Sequence, residues 1–460
     1  MRSSRFGVAA DVAIAVALFG VAALTLLRAT DSVPFHGDES EWINASRYFK
    51  YLFLDRDTGG QVWRPSFITR DQPPLGRYVI GAVIWALGND PLAVNRSYAW
   101  SKDLATNEQE GRVPPSHLLQ PVRRTMAVLG AASIVGLYVV GRLLDGPISG
   151  AVAALFATAS PLLQSYFAQA RSESLLAVLT VLALIGAMVV ARRFGERGEV
   201  PALGWLAGLA LGLALATKLT AALAVVGTGA YGGAAMLNRW VGEARERQRM
   251  AAWTVVTGAS AAVVFLVVNP FLWPDPVART FSMLDQQQAI MREQGQQFGG
   301  ATTGDSWARG ALVIRRTFVE NSIPAFDAGL PPGSEPVVQK TFLDLPAPGG
   351  LSLELALSAI GLLALCWRAA RSWRPGERLG GETALLCWLA AYFAGIAGYL
   401  SLDWPRYYVP TAFLGSLLIG LAVGALARGA LDLFLDRTPM GAAAQRPAPT
   451  GLRYRSSVWR

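Results

Sequence analysis

Thiols, imidazoles and charge are all scarce in this chain of 460 residues. Its two cysteines, Cys366 and Cys387, fall in or beside apolar blocks without a CxxC spacing or a histidine partner, which excludes a cysteine-based metal site and assigns them to packing. Its two histidines, His36 and His117, leave histidine-based zinc chemistry almost without ligands, so only a hard divalent cation held by carboxylates stays open as a cofactor. Charged residues make up 16% of the chain against 52% apolar, and the mean hydropathy is +0.34, outside the range of an ordinary soluble protein of this size. Disorder and fibrous repeats are excluded on the same grounds.

What is present is a series of apolar blocks of about twenty residues, each long enough to cross roughly 30 Å of hydrocarbon. The expected fold class is therefore an all-α polytopic membrane protein. The blocks fall at 8–27, 122–143, 148–166, 174–191, 202–216, 219–237, 251–272, 351–367, 382–400 and 409–427, which predicts about ten transmembrane helices. Residues 75–88 are apolar too, but fourteen residues make only about 21 Å of helix, so they are expected to form an interfacial helix.

The net charge of +9 has a membrane explanation rather than a nucleic-acid one. With ten spans, the arginines of 191–197, 239–249, 368–378 and the tail after Arg428 all fall on one side, and the positive-inside rule makes that side cytoplasmic. Counting 75–88 as a span would put them outside. Both termini are then cytoplasmic, and two long polar connections, 28–121 and about 274–350, face the exterior. The organisation expected is a catalytic transmembrane module over 1–240, a C-terminal transmembrane region over 241–437 and a disordered cytoplasmic tail over 438–460.

Four sites carry candidate chemistry. PFHGDESEWINASRYF follows the first span and places Asp38, Glu39 and Glu41 close to the membrane exit, with Ser40 a candidate N-cap. RDQPPLGRYVIGAVIWALG uses Gln72-Pro73-Pro74 to launch the short helix. SPLLQSYFAQARSESLLAVLTVLAL puts Arg171 and Glu173 in an exterior turn. SLDWPRYYVP places Asp403, Arg406, Tyr407 and Tyr408 before the last span. Lys218, one of four lysines beside 37 arginines, lies in GLALGLALATKLTAALAVVG, where the chain either turns at Thr217-Lys218 or buries a cation. Arg171, Lys218 and Arg406 come from separate exterior turns and together make an anion site suited to a lipid phosphate.

These residues resemble the membrane-embedded glycosyltransferases of the C superfamily, and most closely the polyprenyl-phosphate-sugar-dependent group that includes protein O-mannosyltransferases and the lipid A aminoarabinose transferase (glycosyltransferase family 39). The resemblance covers about 1–240, 269–276 and 401–412, and none is recognised for 280–350 or the tail. One departure stands out: the family commonly has His before Pro-Pro-Leu, whereas this chain has Gln72, an amide that does not titrate near neutrality.

The resemblance implies an inverting, mannosyltransferase-like transfer of a sugar from a polyprenyl-phosphate carrier to a protein hydroxyl, a glycan or a lipid, at the exterior face of the membrane. It implies catalytic residues Asp38 and Glu39, with Asp38 as general base, and a donor phosphate held by Arg171, Lys218, Arg406 and Tyr407. Gln72 and Glu173 are supporting residues, and no metal is required. Alanine- and arginine-rich composition suggests a GC-rich prokaryotic genome, hence a plasma membrane and an undecaprenyl-type lipid. The alternative from another class is a secondary transporter or a carrier of a lipid-linked substrate.

Overall fold

Segments apolar on every side, in a solvent that offers no hydrogen bonds, satisfy their backbone only as helices, and helices dominate the computed structural model. It describes residues 5–238, 244–297, 304–323, 337–343, 352–373, 378–400 and 402–436. The expected tail over 438–460 and parts of the second long connection lie outside the described residues.

In chain order the elements are α1 (Arg5–Ser32), α2 (Gly37–Ala45), α3 (Leu75–Ala86), α4 (Ser116–Leu144), α5 (Pro147–Ala159), α6 (Pro161–Phe167), α7 (Glu173–Arg197), α8 (Leu206–Thr217), α9 (Ala222–Leu237), α10 (Ala244–Val268), α11 (Pro276–Gln297), α12 (Ser306–Phe318), β1 (Glu320–Ile323), β2 (Val337–Lys340), α13 (Leu353–Ser372), α14 (Gly381–Tyr399) and α15 (Val409–Asp436). Single-turn helices fill some of the connections. The two strands pair antiparallel, Glu320 opposite Lys340 and Ile323 opposite Val337.

Among the described residues, eight helices are long and apolar enough to cross a membrane, and nine when α5 and α6, bent by 70° at their junction, are counted together as one span. The bend has a local cause. Pro161 cannot donate to the preceding turn, and Ser160 caps the new helix by accepting from Leu163 N at 3.2 Å. The remaining expected span, 202–216, is a single tight turn over Ala202–Trp205 running into a 12-residue helix, α8, of about 18 Å. It ends where Lys218 takes an extended conformation (φ −158°, ψ 136°), which settles the sequence ambiguity in favour of a turn.

Lipid-facing and protein-facing sides separate along each helix. On α1, Val8, Val12, Val16 and Leu24 are exposed, whereas Leu18, Ala22 and Leu26 are buried. α7 and α15 are the most enclosed helices, packed on α4 and α5 respectively. Close crossings rely on glycine: a Cβ on Gly150 would collide with the Tyr138 carbonyl, and one on Gly420 with the Ser149 carbonyl, so α4, α5 and α15 meet nearly backbone to backbone.

Ion pairs mark one end of the bundle. Arg142 Nε binds Asp11 Oδ1 at 2.9 Å and Arg428 Nη2 binds Asp145 Oδ1 at 2.6 Å, which gathers the start of α1, the end of α4 and the late turns of α15 on one face. The long connections occupy the other face. There α2 packs on α3 and α3 on α4, and Asn95 ties the connection beyond them to α2 by donating to Ser40 O at 3.1 Å and Ser40 Oγ at 2.7 Å.

Candidate active site

Four connections on the loop face enclose one cavity of about 640 Å³. Its lower wall is apolar and comes from the spans, with Leu176, Leu223, Ile396 and Phe413 among the contributors. Its upper wall is polar and aromatic, built from α2, the segment before α3, the segment around Tyr98 and Trp100, and α11. Asp38, Lys218 and Arg406 lie where the two walls meet.

Asp38 is placed by the cap of α2. His36 Nδ1 accepts from Asp38 N at 3.0 Å, and Glu39 Oε1 accepts from His36 N at 3.1 Å, a reciprocal box that fixes the first turn. His36, not Ser40, is therefore the N-cap. Ser40 lies inside the helix, where its hydroxyl donates to the Arg112 carbonyl. His36 Nδ1 also receives Arg171 Nη2 at 2.6 Å.

Asp38 Oδ2 is the hub of the cluster. Arg171 Nη2 donates to it in a close ion pair, and Arg406 Nη1 donates at 3.2 Å. Arg171 is 3% exposed and sits behind Asp38, off the cavity wall; Gln169 Oε1 accepts from its Nη1 at 3.0 Å, and the Tyr166 ring lies 5.5 Å from its Cζ. Arg406 reaches the cavity from a single turn over Pro405–Tyr407, its guanidinium 4.3 Å from the Trp404 ring and 5.4 Å from the Tyr407 ring. Burial alone would raise the Asp38 carboxyl. The surrounding positive charge, Arg171 foremost and then His36, Arg406 and Lys218, outweighs it and holds the group well below the usual carboxylate range.

Lys218 Nζ donates to Glu173 Oε1 at 2.8 Å. Glu173 is 6% exposed and lines the cavity, and among the described residues its Oε2 has no hydrogen-bond partner. The sequence-predicted cations thus converge, two on the wall and one behind it. Tyr407 also lines the cavity, stacked on Trp404 with ring planes 5° apart.

Glu39 does not face the cavity. It is fully buried and saturated: Arg123 donates Nε to Oε2 at 2.8 Å and Nη2 to Oε1 at 2.7 Å, and Ala170 N donates to Oε2 at 2.8 Å. The expected catalytic placement of Glu39 beside Asp38 fails on helix geometry, since adjacent residues of α2 point about 100° apart.

Several groups escaped the sequence reading. Asp71, directly before Gln72, lines the cavity, as do Gln287 and Gln294 from α11; Glu41, one of the three carboxylates read near the membrane exit, lines it too. Gln287 Nε2 donates to Asp71 Oδ1 at 3.0 Å, and Arg77 Nη2 lies 3.9 Å from Asp71 Oδ2. Burial raises the Asp71 carboxyl, opposed by Arg77 and Gln287 and reinforced by Asp38. Burial likewise raises Glu41, whose oxygens accept from Ser97 Oγ at 3.0 Å and Tyr98 N at 2.6 Å. The one available signal was adjacency to the Pro-Pro motif; α11 carried none. Behind the Arg406 turn, Arg316 of α12 binds Asp403, with Nη2 to Oδ2 at 2.6 Å and Nε to both oxygens at 3.1 Å, while Tyr408 donates to Asp403 Oδ1 at 2.8 Å. Among the described residues, no three His, Cys, Asp or Glu side chains gather as metal ligands.

The fold is that of polytopic membrane glycosyltransferases of known structure. The chain superposes on the archaeal oligosaccharyltransferase AglB from Archaeoglobus fulgidus in complex with an inhibitory peptide and a dolichol-phosphate, with a TM-score of 0.55 and 13% identity over 95% of this chain and 52% of that one. The same enzyme with zinc and sulfate gives 0.53 and 14%, over 93% and 52%. ArnT from Cupriavidus metallidurans bound to undecaprenyl phosphate gives 0.51 and 18%, over 96% and 64%. The chain therefore spans about half the length of AglB and under two thirds of ArnT. No family model matches the sequence, and no curated protein does. AglB and ArnT both belong to the C superfamily, so the fold implied by the sequence resemblance is the fold found.

Proposed function

We propose that this protein is an inverting glycosyltransferase that takes a sugar from a polyprenyl-phosphate donor and passes it to a hydroxyl acceptor at the exterior face of a plasma membrane. The observation that carries this reading is the two-part cavity: an apolar wall of spans meets a polar chamber at Lys218 and Arg406. A polyprenyl chain suits the first part, a phosphate the junction and a sugar the second. That the solved relatives were captured with dolichol-phosphate and undecaprenyl phosphate supports the donor class.

In the reaction the acceptor oxygen attacks the anomeric carbon, and the bond from that carbon to the phosphate oxygen breaks. The phosphate, a monoanion in the donor, leaves as a dianion. No acid is needed to protonate it, and the added charge is met by Lys218 and Arg406, already held in place. Arg171 acts at one remove by holding Asp38, and Asp38 orients Arg406. A carboxylate so strongly stabilised as an anion is a weak proton acceptor, so on this reading Asp38 organises the phosphate pole rather than serving as the base. Glu173 sets the position of Lys218, and Glu39 sets the turn that carries Asp38.

The test is to incubate purified protein with a panel of polyprenyl-phosphate sugars, a mannosyl donor with a peptide hydroxyl acceptor being the first pair. Consumption of one donor with release of polyprenyl phosphate is the expected result. Ion-gradient-driven uptake into proteoliposomes without donor consumption would replace this reading with transport.

A further inference from the structure

The cavity has a second polar pole that the cation cluster does not account for. It is formed by Asp71 and Gln72 from the segment before α3 and by Gln287 and Gln294 from α11, two elements far apart in the chain. Two features mark it as built for a ligand. Among the described residues, Gln72 Oε1 and Gln294 Oε1 are buried in cavity-lining residues with no hydrogen-bond partner. Each is a buried polar atom without a partner in the cavity wall, a cost that native structures rarely carry without a ligand to relieve it. The second feature is Asp71. Its carboxylate accepts one amide hydrogen bond from Gln287 and has its nearest cation, Arg77, 3.9 Å away, whereas Asp38 is gripped by two guanidiniums.

Resting on the glycosyltransferase reading, we infer that this pole is the acceptor subsite, taking a neutral hydroxyl-bearing group, and that Asp71 receives the proton of the attacking hydroxyl. Gln72 and Gln294 supply polar atoms to orient the acceptor. The acceptor oxygen forms its bond to the anomeric carbon as its hydrogen passes to an Asp71 oxygen. The electron pair of the breaking carbon–oxygen bond goes to the phosphate at Lys218 and Arg406. Base and leaving-group pole are thus separate carboxylate environments, so that the cations needed by the phosphate do not weaken the base. The charges that face Asp71 are Arg77 from α3, Asp38 from α2, Arg406 from the turn before α15, and Glu41 from α2. The nearest of them, Arg77, is shared with the Trp42 ring, 5.8 Å from its Cζ, and with the Ile68 carbonyl at 2.7 Å.

The experiment uses the full-length protein in lipid nanodiscs, undecaprenyl phosphate as the binding probe, and the donor consumed from the panel as substrate. Asp71→Asn is expected to lower kcat by roughly 10²-fold or more, with donor KM and undecaprenyl phosphate affinity within about threefold of wild type. Asp71→Glu should recover part of kcat and move the acidic limb of the kcat–pH profile. Asp38→Asn and Arg406→Ala should do the reverse, weakening undecaprenyl phosphate binding. Gln72→Ala should raise acceptor KM and leave donor binding unchanged. If wild type turns over donor and Asp71→Asn keeps more than about a third of kcat, or Asp71→Glu leaves the acidic limb in place, the assignment is overturned. If wild type neither binds undecaprenyl phosphate nor consumes any panel donor, the glycosyltransferase reading itself falls.

Discussion

Replacing Glu39 by Gln preserves shape and removes one charge from a site closed off from the protein surface. Glu39 is 0% and Arg123 4% exposed. Around them, Arg123 Nη1 donates to the Thr30 and Val33 carbonyls at 3.0 and 3.1 Å, so the pair joins the end of α1, the cap of α2, the start of α4 and the turn before α7. A surface ion pair contributes about 0–1 kcal/mol. A buried pair broken from one side costs about 3–5 kcal/mol, because the remaining charge is stranded, and that second regime applies here. Glu39→Gln should therefore lower the unfolding midpoint in detergent by an amount matching about 3–5 kcal/mol, and Arg123→Met should do the same. The double variant Glu39→Met/Arg123→Met should lose much less than the sum, as apolar replacement of a whole buried pair does. Activity should fall in step with stability in both single variants. A Glu39→Gln protein with wild-type stability and no transfer would refute the reasoning and return Glu39 to the reacting groups.

Arg406→Ala and Lys218→Met should each cut transfer by roughly 10²–10³-fold, measured as kcat/KM for the donor, the range expected for losing one preorganised charge at a leaving group. Arg316→Ala, which releases Asp403 and with it the Arg406 turn, should raise donor KM, and Arg316→Lys should restore only part, because an ammonium cannot reproduce a forked contact. Asp71 has a folded-state value raised above its unfolded one, so its ionisation penalises the native state, fully at pH above the folded value and not at all below the unfolded one. Asp71→Asn should then raise the thermal midpoint at about pH 7.5 and change it little at about pH 4. Chelation with EDTA should leave transfer intact if Lys218 and Arg406 carry the phosphate charge, and loss restored by a divalent ion would place a metal in the step.

Much of this architecture was legible in the linear chain because hydrocarbon imposes a one-dimensional rule. A run of apolar residues about 30 Å long as helix is a span wherever it occurs, and the basic segments between runs fix relative sidedness. That rule found the spans and placed Arg171, Lys218 and Arg406 in turns on one face. At α8 the α-helix itself is only twelve residues, preceded by a single tight turn over Ala202–Trp205, and the segment runs up to the Lys218 turn beside Glu173. The rule missed the bend between α5 and α6, since proline marks a break but not its angle.

Which polar residues share a chamber is a different matter, because it depends on directions that composition does not encode. Asp38 and Glu39 are neighbours in the chain, yet helix rotation sends one to the cavity and the other to Arg123. Asp71 and Gln287 are 216 residues apart and meet because α11 folds back over the segment before α3. Local hydrophobicity determined the membrane fold, since each helix satisfies its own backbone; only tertiary packing decided which carboxylate stands beside a guanidinium and which stands apart, since charge environments in a low-dielectric interior are set by distance in space.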